Sequence, residues 1–523
     1  MQTCPYSYKG PSTHVNETEE LPKKSDTLKP RTMENLHKLN LFMHRRLGRA
    51  WLAPFILGPI YPFTIPHLWS KKILGFPEFN FELAKKLEKL ATKHNHIASF
   101  WLGPYPAFYI SSNAVRSAIV RESHVGNIDE KSVAKVKKWM KNNEVMMAFP
   151  VFQNINSKTY KEQRSFLVEQ YTRNASSYLP TLETEAYLFL NRYKNRDTNI
   201  KDLVFGLVLK VSSRLLGLNQ WTLDNLLLDE LKTQAIKKVA HYLITENGNP
   251  DLEQDLHAIF TEIFCRNFES ISSESNHNLI RNIFDSRSIS FPKTLDAFYK
   301  IDWKTRHSIA MNFMATAMGG MVHSTSNSLD WALARLLSQP KQLAILSQLV
   351  RRHDNVPLSN PSIYDKQGSH GPICAWILEN IFINPTFSHE FYFTRKAHSA
   401  RLPDGTPLEI PSNCVVIVNY KACNISEPKL RFQFSDSLRS RATVERFIHD
   451  PRNASFGGSR IRKDSQQSRI CPGAKVSLYE QMLLLSLLLK SFNLNPSRQI
   501  SLEVEESAFP LRERVNVGKL KIS

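Results

Sequence analysis

The chain has 523 residues, 42% of them hydrophobic and 22% charged, which supports a large folded core and excludes wholesale disorder. Lysine and arginine outnumber aspartate and glutamate by 68 to 48, yet no zinc finger, RNA-binding sheet motif or basic-region helix accompanies the net charge of +20, so nucleic acid is not the expected partner. The six cysteines, at 4, 265, 374, 414, 423 and 471, are scattered without CxxC spacing, which argues against zinc ribbons and a disulfide scaffold and points to a reducing compartment.

Residues 1–38 are polar with little periodicity and read as a disordered tail. No apolar stretch follows Met1, so a secretory signal is not expected. The expected location is intracellular, either cytoplasmic or peripheral on the cytoplasmic face of a membrane. The Asn-x-Ser/Thr sites starting at 16, 174, 424 and 453 are then expected to go unused.

Residues 39–72 form a basic, proline-rich leading segment. His44-Arg45-Arg46-Leu47-Gly48-Arg49 precede an uncharged stretch from Ala50 to Pro66, in which Pro54, Pro59, Pro62 and Pro66 break any continuous spanning helix. Such a segment either dips into a bilayer interface with its arginines on headgroups or packs on the fold.

From Phe81 to Ala91, Leu83, Leu87 and Leu90 predict a helix. Strands follow over 97–110. Residues 113–345 are mostly helical by pattern, with loops near 141–157 and 246–252, and short alternating runs return over 391–420. The fold class is therefore mostly α with a small β part, and residues 73–523 are read as one large domain.

A proline-free stretch runs from Lys293 to Gln339 and predicts a long apolar helix with Phe313, Ala317, Gly320 and Ser324 on one stripe. Gly319 and Gly320 each cost about 1 kcal/mol against alanine in mid-helix, which suggests a close approach or a kink. A hydroxyl cluster follows at Ser324, Thr325 and Ser326.

Cys471 lies in Ser468-Arg469-Ile470-Cys471-Pro472-Gly473, directly before an apolar run to Lys490 in which Leu478, Met482, Leu485 and Leu489 recur at helical spacing. Pro472 suits the first helical position. A cysteine at a helix start meets the positive end of the dipole, which favours the thiolate, and a thiolate is the strong axial donor that heme iron needs to activate oxygen. A buried structural cysteine before a core helix is the plain alternative.

The neighbouring residues decide between these readings. Phe456 and Gly457, then Arg469, Cys471 and Gly473, resemble the cysteine-ligand loop of the cytochromes P450, Phe-x-x-Gly-x-Arg-x-Cys-x-Gly. That loop places Cys seven positions after Phe, whereas Cys471 follows Phe456 by 15, so eight residues are extra. Ser459-Arg460-Ile461 recurs as Ser468-Arg469-Ile470, so the insertion reads as a local duplication that bulges outward. Further segments match in order. Phe100-Trp101-Leu102-Gly103-Pro104 resembles the first sheet, and Tyr160 to Arg164 resembles Trp-x-x-x-Arg. Glu379-Asn380-Ile381-Phe382 with Pro385 occupies the place of Glu-x-x-Arg, with Phe382 in place of the arginine. Arg395, Asp404-Gly405 and Ile410-Pro411 fit the hairpin region, and Val444-Glu445-Arg446-Phe447 resembles Pro-Glu-Arg-Phe. The central stretch resembles the oxygen-binding helix Ala-Gly-x-Asp/Glu-Thr-Thr, with His323 at the acid and Ser324 at the catalytic threonine. The likeness spans roughly residues 73–510.

The resemblance implies the cytochrome P450 fold and a heme (iron protoporphyrin IX) with Cys471 as axial thiolate. It implies cofactor contacts from Arg164, Arg395, Arg469, Phe456 and Gly473, with Phe456's packing on the heme put in question by the insertion. Ser324 and His323 are the expected proton relay, since a histidine titrates near neutrality, although His323 could equally be a histidine without a catalytic role. Glu379, deprived of its arginine, is expected to pair with Arg446, because a buried carboxylate needs a partner. Phe149 and Phe152 are placed near the substrate by position. The implied activity is a monooxygenase oxidising a lipophilic small molecule, with electrons from a separate acidic flavoprotein reductase or ferredoxin. Basic residues clustered around Cys471, among them Lys429, Arg431, Arg439, Arg441, Arg460, Arg462 and Lys475, would attract such a partner or are simply a solvated surface. The alternatives are an oxygen-independent heme-thiolate isomerase or dehydratase, for which a degraded relay makes sense, and a non-catalytic heme-binding protein.

Overall fold

The computed structural model describes residues 81–119, 158–218, 250–272, 278–402, 405–426, 444–456 and 470–523, apart from short breaks at 103–104, 217, 366–367, 395–396, 406, 411–413, 451–452, 497–499, 506–511 and 516–517. The expected tail and leading segment, Phe149, Phe152, Arg395, Arg469 and the inserted loop lie outside these residues. Among the described residues, no helix is long and apolar enough to cross a membrane.

The expected first helix is α1 (Phe81–Lys93), with Leu87 fully buried. The expected strands form the hairpin β1 (Ile97–Leu102) and β2 (Tyr105–Ile110), paired antiparallel. Next come α2 (Asn113–Ile119), α3 (Lys158–Val168) and α4 (Leu179–Arg192). A short strand β3 (Asp197–Asn199) leads into α5 (Ile200–Leu215), whose first turn is capped by Asn199 Oδ1 accepting from the amides of Lys201 and Asp202.

The central helical run starts with α6 (Trp303–Phe313), capped by Asp302 on the Thr305 amide. It widens into a ten-residue π-helical stretch, Met314–His323, and continues as α7 (Ser324–Leu337). Gly319 and Gly320 lie inside the widened stretch. A methyl group at Gly320 would meet Ala315 O at an ordinary 3.5 Å, so Gly320 marks the wide turn and not a close approach. Such turns are uncommon and favour functional sites.

After α8 (Pro340–Arg352) and α9 (Gly371–Ile383) come β4 (His389–Phe393), β5 (His398–Arg401), β6 (Pro407–Ile410) and β7 (Val415–Asn419). The main sheet runs β1-β2-β7-β4, with β2 and β7 parallel and β4 antiparallel to β7. Every residue of β7 is buried, which is why Val415 to Val418 reads as a continuous apolar run. The β5–β6 hairpin turns through Gly405 at φ 85°, a conformation glycine adopts without Cβ strain. The chain closes with α10 (Tyr420–Ile425), α11 (Val444–Ile448), α12 (Ala474–Ser491), β8 (Leu494–Pro496) and β9 (Lys519–Ile522).

Helix α12 is buried nearly all round and packs against α4, α8 and α9 in the larger of two apolar cores, the smaller lying under the sheet. It opens at Ala474, two residues later than Pro472 as first helical position would require. Gly473 occupies the cap position, and Pro472 sits in the turn before it.

One polar residue of α12 is out of place energetically. Glu480 is 2% exposed and faces Ser212 Oγ at 3.4 Å. Burial raises its carboxyl from 4.5 to about 8. A folded-state value above the unfolded one costs stability as pH rises from about 4.5 to about 8, because the unfolded chain ionises first. Glu480→Gln should therefore be nearly neutral at pH 4 and stabilising at pH 8, on the order of a few kcal/mol. Denaturant unfolding at the two pH values measures this; a gain independent of pH would contradict it.

Candidate active site

Two stretches of chain converge at Cys471. Its amide donates to Phe456 O at 3.0 Å, so the residues before and after the insertion meet directly. Phe456 is half-buried against the main core and lies edge-on to Phe447 at 5.9 Å. The insertion leaves from this pairing without breaking it, as expected for a loop whose closure entropy grows slowly with length. From the other side, α3 continues through a π turn, Glu169–Arg173, and Thr172 Oγ1 donates to Pro472 O at 2.8 Å.

Cys471 is an exposed residue, yet protein atoms crowd its sulfur so closely that burial raises its thiol pKa. The Gly473 and Ala474 amides and the Arg164 charge pull the other way, and Glu390 on β4 adds to the rise. The helix start thus favours the thiolate as expected, but burial outweighs it in the free thiol. Metal coordination displaces that proton outright. A methyl group at Gly473 would stand 3.9 Å from the sulfur.

Arg164 is the second half of the site. It is 5% exposed, its Nε has no hydrogen-bond partner, and no ion pair compensates its charge among the described residues. Burial lowers its pKa, opposed by Tyr160 and Cys471. A buried guanidinium without an anion is costly, and a carboxylate-bearing group beside the cysteine would satisfy it with bidentate geometry. The residues present therefore fit a heme with propionates, with Cys471 and Arg164 as holders.

The central helix crosses α12 close to this point. Thr325 Oγ1 and Ser477 Oγ are 2.8 Å apart, and Ser328 Oγ donates to Gln481 Oε1 at 2.8 Å. Ser477 is the fourth residue of α12, so the crossing lies roughly 5 Å along the helix from its start. Part of the hydroxyl cluster is therefore structural. Ser324 Oγ turns back onto Gly320 O, and Ser326 Oγ onto His323 O at 3.0 Å. His323 is 8% exposed, with Nε2 2.9 Å from Glu513 Oε1.

The expected burial of Glu379 needs correction, while its expected pairing with Arg446 involves a side chain outside the described residues. Glu379 is not a buried carboxylate: its side chain is 37% exposed and its described partner is Arg335 at 3.4 Å. Arg446 stands on α11, with its side chain outside the described residues. Phe382 is buried in the main core. The end of α9 is tied to the cysteine loop through its backbone instead. Asn424 Nδ2 donates to Phe382 O at 2.8 Å and to Ser455 Oγ at 2.9 Å, and Ser455 Oγ donates to Ile381 O at 3.1 Å. Nothing in the local sequence pattern singled out Asn424, Ser455 or Glu513. Buried asparagines within the Asn-x-Ser sites at 424 and 453 were the available signal.

The sequence profile described as Cytochrome P450 matches residues 61–352. Solved structures share the fold at low identity. A crystal structure of P450BioI in complex with hexadec-9Z-enoic acid ligated acyl carrier protein aligns with TM-score 0.56 and 15% identity, over 85% of this chain and 97% of that one. A crystal structure of a cytochrome P450, CYP102L1, aligns with TM-score 0.60 and 15% identity, over 84% and 94%. Comparison with curated protein sequences gives no match.

Because Glu379 is partly solvated, Glu379→Gln should change stability by less than about 1 kcal/mol in denaturant unfolding. A loss of about 3 kcal/mol or more would mean that the carboxylate is a buried, obligatory partner.

Proposed function

The chain belongs to the cytochrome P450 family of heme-thiolate oxidoreductases, and on that premise we propose that it is a monooxygenase of a lipophilic small molecule with Cys471 as the axial ligand. The observation that carries the assignment is the buried Arg164, uncompensated among the described residues, whose charge acts on the Cys471 thiol. Bound heme supplies the activation of dioxygen, driven by electron donation from the thiolate.

The protein's own groups do the rest. Cys471 would hold the metal as a thiolate, its proton released to solvent, and the Gly473 and Ala474 amides would keep that thiolate from being overly basic. Arg164 holds one propionate, with Arg395 and a basic residue of the inserted loop such as Arg469 as further holders. Gly473, where an added methyl would stand 3.9 Å from the sulfur, would be a further contact to the group. Phe456 and Phe447 form the apolar wall behind the loop.

Ser324 and His323 move protons. The Ser324 hydroxyl donates to Gly320 O, so its oxygen lone pairs remain free to accept from a water and to orient it. His323, nearly buried at the end of the π-helical stretch, exchanges protons between that water and the surroundings. Electrons come from a separate acidic flavoprotein or ferredoxin. Its docking face is the basic surface around the cysteine loop, of which Lys475 is described, 2.5 Å from Glu445.

Ser324→Ala should divert reducing equivalents to peroxide, because the proton then reaches the wrong oxygen. His323→Phe should slow turnover. Product formed per reductant consumed is the measurement. Unchanged coupling in both variants would rule out the relay, whereas product formed without any reductant consumed would favour the oxygen-independent isomerase or dehydratase reading.

A further inference from the structure

The central helix presents one stripe to the end of the chain. His323, Asn327, Asp330 and Trp331 are spaced as residues on one helix face, and all four contact the three consecutive residues Arg512, Glu513 and Arg514. Asn327 Nδ2 donates to Arg512 O at 3.2 Å, and Trp331 Nε1 donates to the same oxygen. Asp330 and Arg514 form a bidentate pair at 2.7 and 3.0 Å, each side chain 1% exposed. The remaining contact, between Glu513 and His323, is not needed to fasten the segment.

We propose that Glu513 is the positioning residue of the His323 relay: the C-terminal segment supplies, from a distant point of the chain, the carboxylate that the central helix has lost at position 323. This rests on the relay reading above.

Glu513 and His323 are nearly enclosed, with side chains 13% and 10% exposed. Glu513 Oε1 lies 2.9 Å from His323 Nε2, although the N–H does not point squarely at it. A small ring rotation makes it a straight hydrogen bond. The other oxygen is taken by Lys201 Nζ at 2.5 Å, and Lys201 in turn reaches Glu505 at 3.6 Å. Lys201, Glu505, Asp330 and Arg514 are the other charged groups around the pair. Burial alone would raise the Glu513 carboxyl, but His323 and Lys201 outweigh it and bring it down to about 2. Glu513 therefore stays ionised at any working pH and is not itself the proton donor. Its charge holds the ring proton on Nε2 and fixes the ring plane, as a buried carboxylate does for a general-base histidine. Nδ1 is then the nitrogen left to exchange a proton, and it is buried without a partner.

The test uses the full-length heme-loaded protein. Product per reductant is compared for wild type, Glu513→Gln, His323→Phe, the double variant and Glu505→Gln. The His323 ring tautomer is read independently of turnover, from 15N NMR of the diamagnetic reduced carbon monoxide complex. Glu513→Gln should lower coupling about tenfold or more, the double variant should be no worse than His323→Phe, and Glu505→Gln should match wild type. The single Nε2-protonated tautomer of the wild type should become mixed in Glu513→Gln. Should that variant fold poorly, Lys201→Met releases the carboxylate from its other side and should loosen the same tautomer signature. If His323→Phe lowers coupling while Glu513→Gln leaves both coupling and tautomer unchanged, Glu513 has no such role and the relay stands without it. If His323→Phe itself leaves coupling intact, the relay reading falls, and the role of Glu513 with it.

Discussion

The site depends on how the central helix is fixed against the cysteine helix. Thr325 meets Ser477, Ser328 meets Gln481, and Gln481 Nε2 donates back to Ser477 Oγ at 3.1 Å. Each such bond contributes only about 0.5–1.5 kcal/mol net, but an orphaned buried group costs about 1–3 kcal/mol. The register of the two helices is therefore set mainly by the penalty for mispairing. With that register fixed, Ser324 and Cys471 are both placed, one at the start of α7 and the other just before α12.

Around this crossing, charge is distributed unevenly. Arg514 is buried and fully answered by Asp330, while Arg164 is buried and unanswered among the described residues. The first arrangement holds the C-terminal segment on the central helix. The second has no compensation among the described residues and makes sense as a binding site for an anionic group. The cysteine loop accommodates its extra residues because the hydrogen bond from Cys471 to Phe456 closes the base of the insertion. Each doubling of loop length costs only about 0.6 kcal/mol. The loss of the arginine at Phe382 is absorbed similarly, since backbone oxygens at 381 and 382 take over the bracing through Ser455 and Asn424.

Much of the frame was legible because it is periodic or punctuated. Leu83, Leu87 and Leu90 marked α1, the short runs over 391–420 marked strands although β7 proved buried throughout and not alternating, and Asp404-Gly405 fitted the hairpin region. The π-helical stretch was signalled by Gly319-Gly320 but not its form, since a glycine pair is compatible with a kink, a contact or a wide turn. The polar pairings were not legible. Glu513 and His323 stand 190 positions apart, and nothing local in either distinguishes an ion pair from a solvated charge. The expected burial of Glu379 erred because periodicity does not give burial for a residue at the edge of a helix face. The helix start at Cys471 favours the thiolate as read from sequence, but the larger effect of desolvation on the free thiol was not legible there.

The central claim is that Cys471, at the closed base of an enlarged loop, ligates heme as a thiolate. The absorption spectrum of the reduced protein with carbon monoxide, recorded for the wild type and for Cys471→Ala, tests it most directly. The account predicts a thiolate-type spectrum in the wild type and its complete loss in the variant. A variant that keeps the spectrum, or a wild type that binds heme without it, would contradict the assignment.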